Sequence, residues 1–231
     1  MTPETRPNHP LLLLLHVATA ITGMIDAISY LALGHVFTAN MTGNVVFLAF
    51  AVAGAPGLSI TRSLTALIAF LIGALIGGRL ATRLSEVLTP SWITTALTLE
   101  SVLLLAATVA AINLRDSLGS SFQLYSIIVL TALAMGIRNA AVRKMGIPDL
   151  TTTVLTLTIT GLAADSRFAG GTNPRWRRRL LAVLLMFFGA VIGTLLLRRS
   201  LVLPLAIATL LSICCVAISL KQRVALETRA L

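Results

Sequence analysis

The chain has 231 residues, of which 57% are hydrophobic and 11% are charged, and its mean hydropathy is +0.94. This composition excludes a soluble globular domain and indicates an integral membrane protein. The net charge of +10 comes mainly from arginines between apolar segments, and aromatic stacking platforms among them are missing, so we expect the lipid bilayer and not nucleic acid as a partner.

Eight apolar segments follow one another with short connections. Six are long enough, or nearly so, to cross about 30 Å of hydrocarbon as helices. The second and the sixth hold only about 15 residues and contain several Thr, Gly or Asn residues. We predict an all-α membrane bundle, one domain of residues 1–231, with six full spans and two short or re-entrant segments. The predicted segments are 11–33, 41–55, 64–84, 92–113, 121–141, 150–164, 179–197 and 201–220.

The first segment carries Asp26 near its middle. An ionised carboxylate in hydrocarbon is costly, so Asp26 is expected to face the bundle interior, a charged partner or water. Two interpretations stay open: a proton or cation site, or a structural ion pair with Arg138 of the fifth segment. Asn139, the next residue, is the counterpart of Asp26 in the second half and is a further candidate ligand.

The second segment begins with Thr42, Gly43 and Asn44. Broken backbone at membrane depth is tolerated only where protein or a water-filled cavity satisfies its polar groups. Short, Gly-interrupted segments in matching positions of two halves indicate a binding site, with Thr156 and Thr158 of the sixth segment facing the first group. The alternative is that both are short helices whose Thr and Asn side chains bond to neighbouring helices.

The fourth segment carries Glu100, and no basic residue lies within two helical turns of it in the chain. A buried carboxyl that stays neutral would have no role in transport, whereas one that titrates in a cavity would relay protons. The sequence leaves both interpretations open, and Glu100 is kept as a candidate ion-binding residue.

Two Gly-x-x-x-Gly motifs occur, Gly73 with Gly77 in the third segment and Gly189 with Gly193 in the seventh. Each places two glycines one turn apart on one helix face, which lets another backbone approach closely. These residues are predicted to be structural. They either pack two parts of the chain together or join two subunits, so a homo-oligomer through the Gly-rich faces is one open alternative.

The chain repeats internally. GMIDA at 23–27 matches GIRNA at 136–140, MTGN at 41–44 matches LTLT at 155–158, and GALIG at 73–77 matches GAVIG at 189–193, with offsets of 113, 114 and 116 residues. Three matches in the same order predict a duplication. The predicted halves are approximately 11–113 and 121–220.

Loop charge indicates how often the chain crosses the membrane, because Lys and Arg concentrate on the cytoplasmic side. With the N-terminus inside and Arg138 left uncounted in its span, eight crossings would place 11 basic residues inside and six outside. If the two short segments enter and return, the division becomes 13 inside and four outside. Six crossings are favoured, and three per half would give the halves opposite orientations in the membrane.

The chain resembles the YoaK-like family of bacterial integral membrane proteins, a family of unknown function, in four stretches: GMIDAISYLALGHVFTANMTGNVVFLA, FLIGALIGGRL, GIRNAAVRK and TTTVLTLTITGL. The likeness covers nearly the whole chain. It implies a multi-pass protein of the bacterial inner membrane with about six spans, and it implies no substrate. Similar proteins are expected to carry Thr-Gly where this chain has Thr156 and Leu157, which departs from strict symmetry of the two halves.

Candidate functions belong to different classes. Neither a metal-binding spacing nor a cofactor or catalytic motif is present in the sequence, and no nucleophile–base pair is visible, so an enzyme is not expected. The leading hypothesis is a small secondary transporter or channel for a small ion or metabolite, coupled to protons or cations, because short polar segments accompany intramembrane acids. The alternative is a membrane scaffold or regulatory module that transports nothing.

Overall fold

The computed structural model describes residues 9–84, 91–112, 121–145, 155–173 and 175–229, and these ranges contain no strand. The helices are α1 (His9–Ala32), α2 (Met41–Val52), α3 (Ile60–Leu84), α4 (Ser91–Ile112), α5 (Ser121–Met145), α6 (Leu155–Ala164), α7 (Trp176–Leu197) and α8 (Val202–Arg229), with one 3₁₀ turn at Arg167–Ala169. The predicted all-α fold is confirmed. Residues 150–154, which the sequence placed in the sixth segment, lie outside the described ranges.

Six of these helices are long and apolar enough to cross a membrane: α1, α3, α4, α5, α7 and α8. By contrast, α2 has 12 residues and α6 has 10. At 1.5 Å per residue the two short helices cover about 15–18 Å, roughly half of the hydrocarbon thickness. The prediction of six full spans and two short segments is therefore confirmed by helix length.

Hydrogen bonds between α4 and α8 give the relative direction of these helices. The hydroxyls of Thr94 and Ser219 lie 2.7 Å apart, and those of Ser101 and Ser212 lie 2.8 Å apart. Residue numbers fall along α8 as they rise along α4, so the two helices run antiparallel. Eight crossings would make the fourth and eighth helices parallel, whereas six crossings make them antiparallel. The helix packing thus fits the six-crossing arrangement.

The helix packing has an approximate internal two-fold symmetry. α1 packs against α7 and α8, and the equivalent helix of the second half, α5, packs against α3 and α4. Each short helix packs against the long helix that follows it, α2 on α3 and α6 on α7. Exchanging α1–α4 with α5–α8 leaves this set of helix contacts unchanged. Because the equivalent helices α4 and α8 are antiparallel, the repeat is inverted.

The centre of the bundle is formed by α1 and α5. In their apolar windows 67% and 61% of the residues are buried, against 28% for α3 and 17% for α7. The outer helices expose rows of large apolar side chains, as lipid-facing helices do; on α7 these include Leu184, Phe187, Val191 and Leu195. The buried polar residues that the sequence singled out on α1 and α5 therefore lie on the innermost helices.

Glycines bring α1 and α7 into backbone contact. A methyl group added at Gly189 would collide with the Ala20 carbonyl, and one at Gly193 would press on Met24. One added at Gly23 would collide with the α7 backbone. The residue numbers of the contacting positions increase in the same direction along both helices, from Ala20 and Gly189 to Met24 and Gly193, so α1 and α7 run parallel.

The same arrangement recurs between α3 and α5. A methyl group at Gly73 would collide with the Leu133 carbonyl, one at Gly77 with the Ile137 carbonyl, and one at Gly136 with the α3 backbone. The Gly-x-x-x-Gly motifs thus lie where two helix backbones come close, which is the geometry that a packing role requires. Each motif joins a helix of one half to a helix of the other half. The four glycines of the two motifs all contact residues of the same chain.

Candidate functional site

A buried ion pair joins α4 and α5. Arg138 Nη1 lies 3.0 Å from Glu100 Oε1, and both side chains are 1% exposed. Arg138 Nη2 also donates a hydrogen bond to the Thr22 hydroxyl of α1 at 2.7 Å. The guanidinium therefore connects three helices in the interior of the bundle.

Arg138 is thus the direct ion-pair partner of Glu100, and the alternative of a direct ion pair with Asp26 is wrong, although the charge of Arg138 also acts on Asp26. A guanidinium inside a membrane bundle requires a nearby acceptor, and the packing of α5 against α4 supplies the Glu100 carboxylate. The sequence could not reveal this pair, because the two residues lie far apart in the chain and two interior acids were available. Glu100 accordingly has a structural partner.

Asp26 lies in the central helix α1 and is 8% exposed. Its Oδ1 is buried and has no hydrogen-bond partner within the described ranges. The backbone of Ala39, in the connection between α1 and α2, faces the carboxylate. The neighbouring residue, Thr38, is fully buried and its hydroxyl also has no partner there. One buried carboxylate oxygen and one buried hydroxyl, both without a hydrogen-bond partner in the described ranges, therefore lie in this region, where polar groups are normally paired.

The residues Thr42, Gly43 and Asn44 shape the start of α2. Asn44 Oδ1 accepts a hydrogen bond from the Phe37 N–H at 2.8 Å, and Asn44 Nδ2 donates to the Phe37 carbonyl. Asn40 Oδ1 accepts from the Gly43 N–H at 3.4 Å, and a side chain at Gly43 would collide with the Phe37 ring. Thr42 is exposed. Gly43 and Asn44, predicted as ligands, instead hold the connection after α1 against α2.

The short helix α6 repeats this pattern of burial. Thr158 is its buried residue, as Asn44 is in α2, and Thr156 is exposed like Thr42. However, α2 packs on α3 and α6 packs on α7, and the two short helices do not contact each other within the described ranges. The expectation that their polar residues face each other is wrong, because each short helix packs against its own half.

Asn139, the counterpart of Asp26, is half-buried in α5. Its Nδ2 donates to the Met135 carbonyl at 2.7 Å, and the side chain lines a groove between α3 and α5. The residues predicted as ligands therefore lie at separate positions in the bundle. These positions are the buried face of α1, the ion pair between α4 and α5, the groove between α3 and α5, and the two short helices. Groups of three or more His, Cys, Asp or Glu that could bind a metal are absent from the residues that the structure describes.

A row of hydroxyl pairs between α4 and α8 was not predicted. The two pairs described above are followed by a third, Thr108 with Thr209 at 3.1 Å. On α4 the hydroxyl residues recur at every seventh position, a spacing that keeps them on one helix face. That spacing is the signal in the sequence that could have revealed the row. Glu100 lies beside it, close to the Ser212 side chain of α8.

One basic residue in the first turn of α7 is also buried. Arg179 is 6% exposed, and its Nη1 donates to the Gly161 carbonyl and to Asp165 Oδ2, both at 2.6 Å. In the sequence Arg179 ends a cluster of basic residues at 173–179. The structure uses it to fasten the end of α6 to α7.

Comparison with known proteins identifies a family without an assigned activity. The family model described as protein of unknown function (DUF1275) matches residues 14–218. The UPF0700 transmembrane protein YoaK of Bacillus subtilis (strain 168) is 35% identical over 189 residues, which cover 79% of this chain and 82% of that protein. No solved structure matches the chain significantly. The chain therefore belongs to the DUF1275 family of YoaK-like transmembrane proteins.

Proposed function

We propose that this protein is a small secondary transporter of the bacterial inner membrane, coupled to protons or another cation, with a small ion or metabolite as its substrate. It is not an enzyme in this proposal. The observation that carries it is the Asp26 carboxylate, which is buried in the central helix and has an oxygen without a partner in the described ranges. Asp26 is proposed to bind the coupling ion.

The cost of burying a charge supports this role. An acid at the centre of a membrane helix costs about 2.5–3.5 kcal/mol on insertion scales, and such residues usually mark ion or substrate pathways. Glu100 offsets this cost through its ion pair with Arg138. Asp26 makes no direct ion pair among the described residues, although the charge of Arg138 acts on it from a distance, so a structural role explains it less well than a cation or proton that binds and leaves.

The inverted repeat also supports transport. Inverted repeats let one part of a transporter rock against the other, which opens a site near the bilayer midplane to each side in turn. Here α1 and α5, the equivalent first helices of the two halves, lie at the centre of the bundle. Asp26 belongs to one of these two helices, so a change in how the halves pack would change its surroundings.

The scaffold alternative depended partly on the glycine faces as surfaces for a partner. Those glycines contact backbone of the same chain. The faces left open by the bundle are apolar and suited to lipid. We therefore favour transport over a scaffold.

The experiment compares the wild-type protein with Asp26→Asn in liposomes that contain a pH-sensitive dye. Gradients of inorganic cations and of small metabolites are imposed one at a time, and proton and substrate flux are recorded. We expect Asp26→Asn to fold normally, because the amide has the same shape and lacks the costly charge, and to abolish flux or its pH dependence.

Asp165→Asn is the matched control, since it removes a carboxylate whose ion pair is at the half-exposed end of α6. This variant should keep the flux of the wild-type protein. A folded Asp26→Asn variant with unchanged flux and pH dependence would contradict the proposed role of Asp26. Absence of flux with every gradient for the wild-type protein would favour the scaffold alternative.

A further inference from the structure

A groove of about 680 Å³ lies between α3 and α5. Its size is in the range of small-molecule binding sites. Glycine contacts hold the two helices together, and the groove runs beside these contacts. A methyl group added at Gly78 would meet nothing within 4 Å, so this side of α3 is open. The lining residues are Phe70, Ala74, Gly78, Ala81, Thr82, Asn139, Ala140, Val142, Arg143 and Lys144.

The groove is apolar at one end and cationic at the other. Phe70 and Ala74 lie toward the middle of α3, whereas Arg143 and Lys144 lie in the last turn of α5 and are exposed. Because α3 and α5 are parallel, the C-terminal ends of both helices reach the same membrane surface. The six-crossing arrangement places that surface in the cytoplasm. The groove therefore extends from the hydrocarbon region to the cytoplasmic headgroup layer.

The equivalent place in the first half differs. At the offset that matches Asn139 to Asp26, Arg143 corresponds to Tyr30 and Lys144 to Leu31. Tyr30 stacks on Phe37 with ring centroids 5.3 Å apart, so the connection after α1 covers this end of the helix. The two cations thus occur at one end of the pseudo-symmetric bundle. That end faces the leaflet whose anionic lipids attract Lys and Arg.

We propose that the groove between α3 and α5 binds one anionic phospholipid of the cytoplasmic leaflet. The phosphate of the headgroup binds Arg143 and Lys144, and an acyl chain lies along Phe70, Ala74 and the open side of Gly78. A basic pocket between membrane helices on the cytoplasmic side is suited to an anionic headgroup. This inference concerns lipid recognition and does not depend on the transport proposal.

The test uses the purified full-length protein in detergent and native mass spectrometry to count bound lipids. Phosphatidylglycerol is the anionic probe, phosphatidylcholine is the neutral one, and inorganic phosphate tests for a soluble anion. We expect one phosphatidylglycerol to bind about tenfold more tightly than phosphatidylcholine, because two cations near the membrane surface each favour an anionic headgroup. Inorganic phosphate should not displace it.

Two variants separate the parts of the site. Arg143→Gln with Lys144→Gln should remove the preference for phosphatidylglycerol. Gly78→Leu keeps both charges but fills the groove, and it should weaken binding of phosphatidylglycerol. The matched control is Arg198→Gln with Arg199→Gln, which removes two exposed charges at the opposite end of the bundle and should leave the preference intact.

Equal binding of both lipids by the wild-type protein would overturn the proposal. Displacement of the lipid by inorganic phosphate would show a site for a soluble anion instead. An equal loss of the preference in both doubly neutralised variants would show general attraction to positive charge rather than a groove site. Unchanged binding in Gly78→Leu would also place the lipid elsewhere.

Discussion

The two halves of the chain, α1–α4 and α5–α8, share one set of helix contacts but carry different polar groups on them. Glycines at backbone contacts occur in matching positions, namely Gly23 and Gly136, Gly73 and Gly189, and Gly77 and Gly193. The polar positions do not match in this way. Asp26 corresponds to Asn139, and Arg138 corresponds to Ile25, which is a fully buried core residue.

This difference teaches which positions a helix bundle holds fixed. At a backbone crossing any side chain collides, so both halves need glycine there. A buried polar side chain needs a partner from another helix, as Arg138 of α5 needs Glu100 of α4. Such a pair can form at one of the two symmetry-related places and be absent from the other. The halves are therefore alike in shape and unlike in chemistry.

The largest expected effect concerns orientation, which has an all-or-none readout. Leu84→Cys and Ser200→Cys occupy matching positions, at the end of α3 and in the connection that follows α7. In a variant without Cys214 and Cys215, an impermeant maleimide should label position 84 from the cytoplasm and position 200 from the periplasm, because the repeat is inverted. Labelling of both from the periplasm would instead require eight crossings.

The next effect concerns the ion pair between α4 and α5, which has no counterpart between α8 and α1 because Ile25 takes the place of Arg138 there. Glu100→Gln or Arg138→Gln alone should lower the free energy of unfolding by about 3–5 kcal/mol, because the remaining charge is left buried without its partner. The double variant should recover most of this loss. Asp26→Asn should change the stability little. Thermal melting in detergent measures all four, and a large loss in Asp26→Asn would show that Arg138 depends on Asp26 after all.

The glycine contacts should respond equally in the two halves. Gly77→Leu and Gly193→Leu should each cost about 1–3 kcal/mol or more, since a side chain forces the helix backbones apart. Gly78→Leu is the neighbouring control, because a side chain there meets open space. The thermal stability of the three variants is compared in detergent without added lipid. Unchanged melting in Gly77→Leu or Gly193→Leu would mean that these glycines face lipid.

The smallest expected effect is a difference in stability between variants of the two short helices, α2 and α6. Asn44→Ala removes both bonds to the Phe37 backbone and should cost about 1–3 kcal/mol. Amide hydrogen exchange of residues 33–40 should become faster. Thr158→Ala at the matching position should cost about 1 kcal/mol or less. Equal losses at the two positions would contradict the structural difference between α2 and α6.

Much of the fold could be predicted from the sequence. Apolar length identified the six spans and the two short helices, and the glycine spacing identified the faces at which helices cross. These features depend on local composition and on the spacing of residues along a helix, and both can be read from the sequence alone. The same holds for the repeat, because matching residues occur at nearly constant offset.

The candidate site was less predictable, because partners come from other helices. Loop charges and segment lengths could not show which acid meets Arg138. Nor could they show that Asn44 binds the backbone of Phe37 seven residues earlier, since a short polar segment fits a ligand site and a packed turn equally well. The prediction that Thr42 and Thr156 share one site was wrong, because α2 packs on α3 and α6 packs on α7, so the two short helices lie apart.

The glycine crossings have a consequence for biosynthesis. Each tight pair joins a helix made early to one made later: α1 ends at Ala32, and its partner α7 begins only at Trp176. At about 5–20 residues per second, α1 waits roughly ten seconds or more for that partner. During this time Asp26 lacks the helices that later surround it. Ribosome arrest before α7 should therefore leave an inserted chain that membrane proteases degrade, even though α1–α6 are complete.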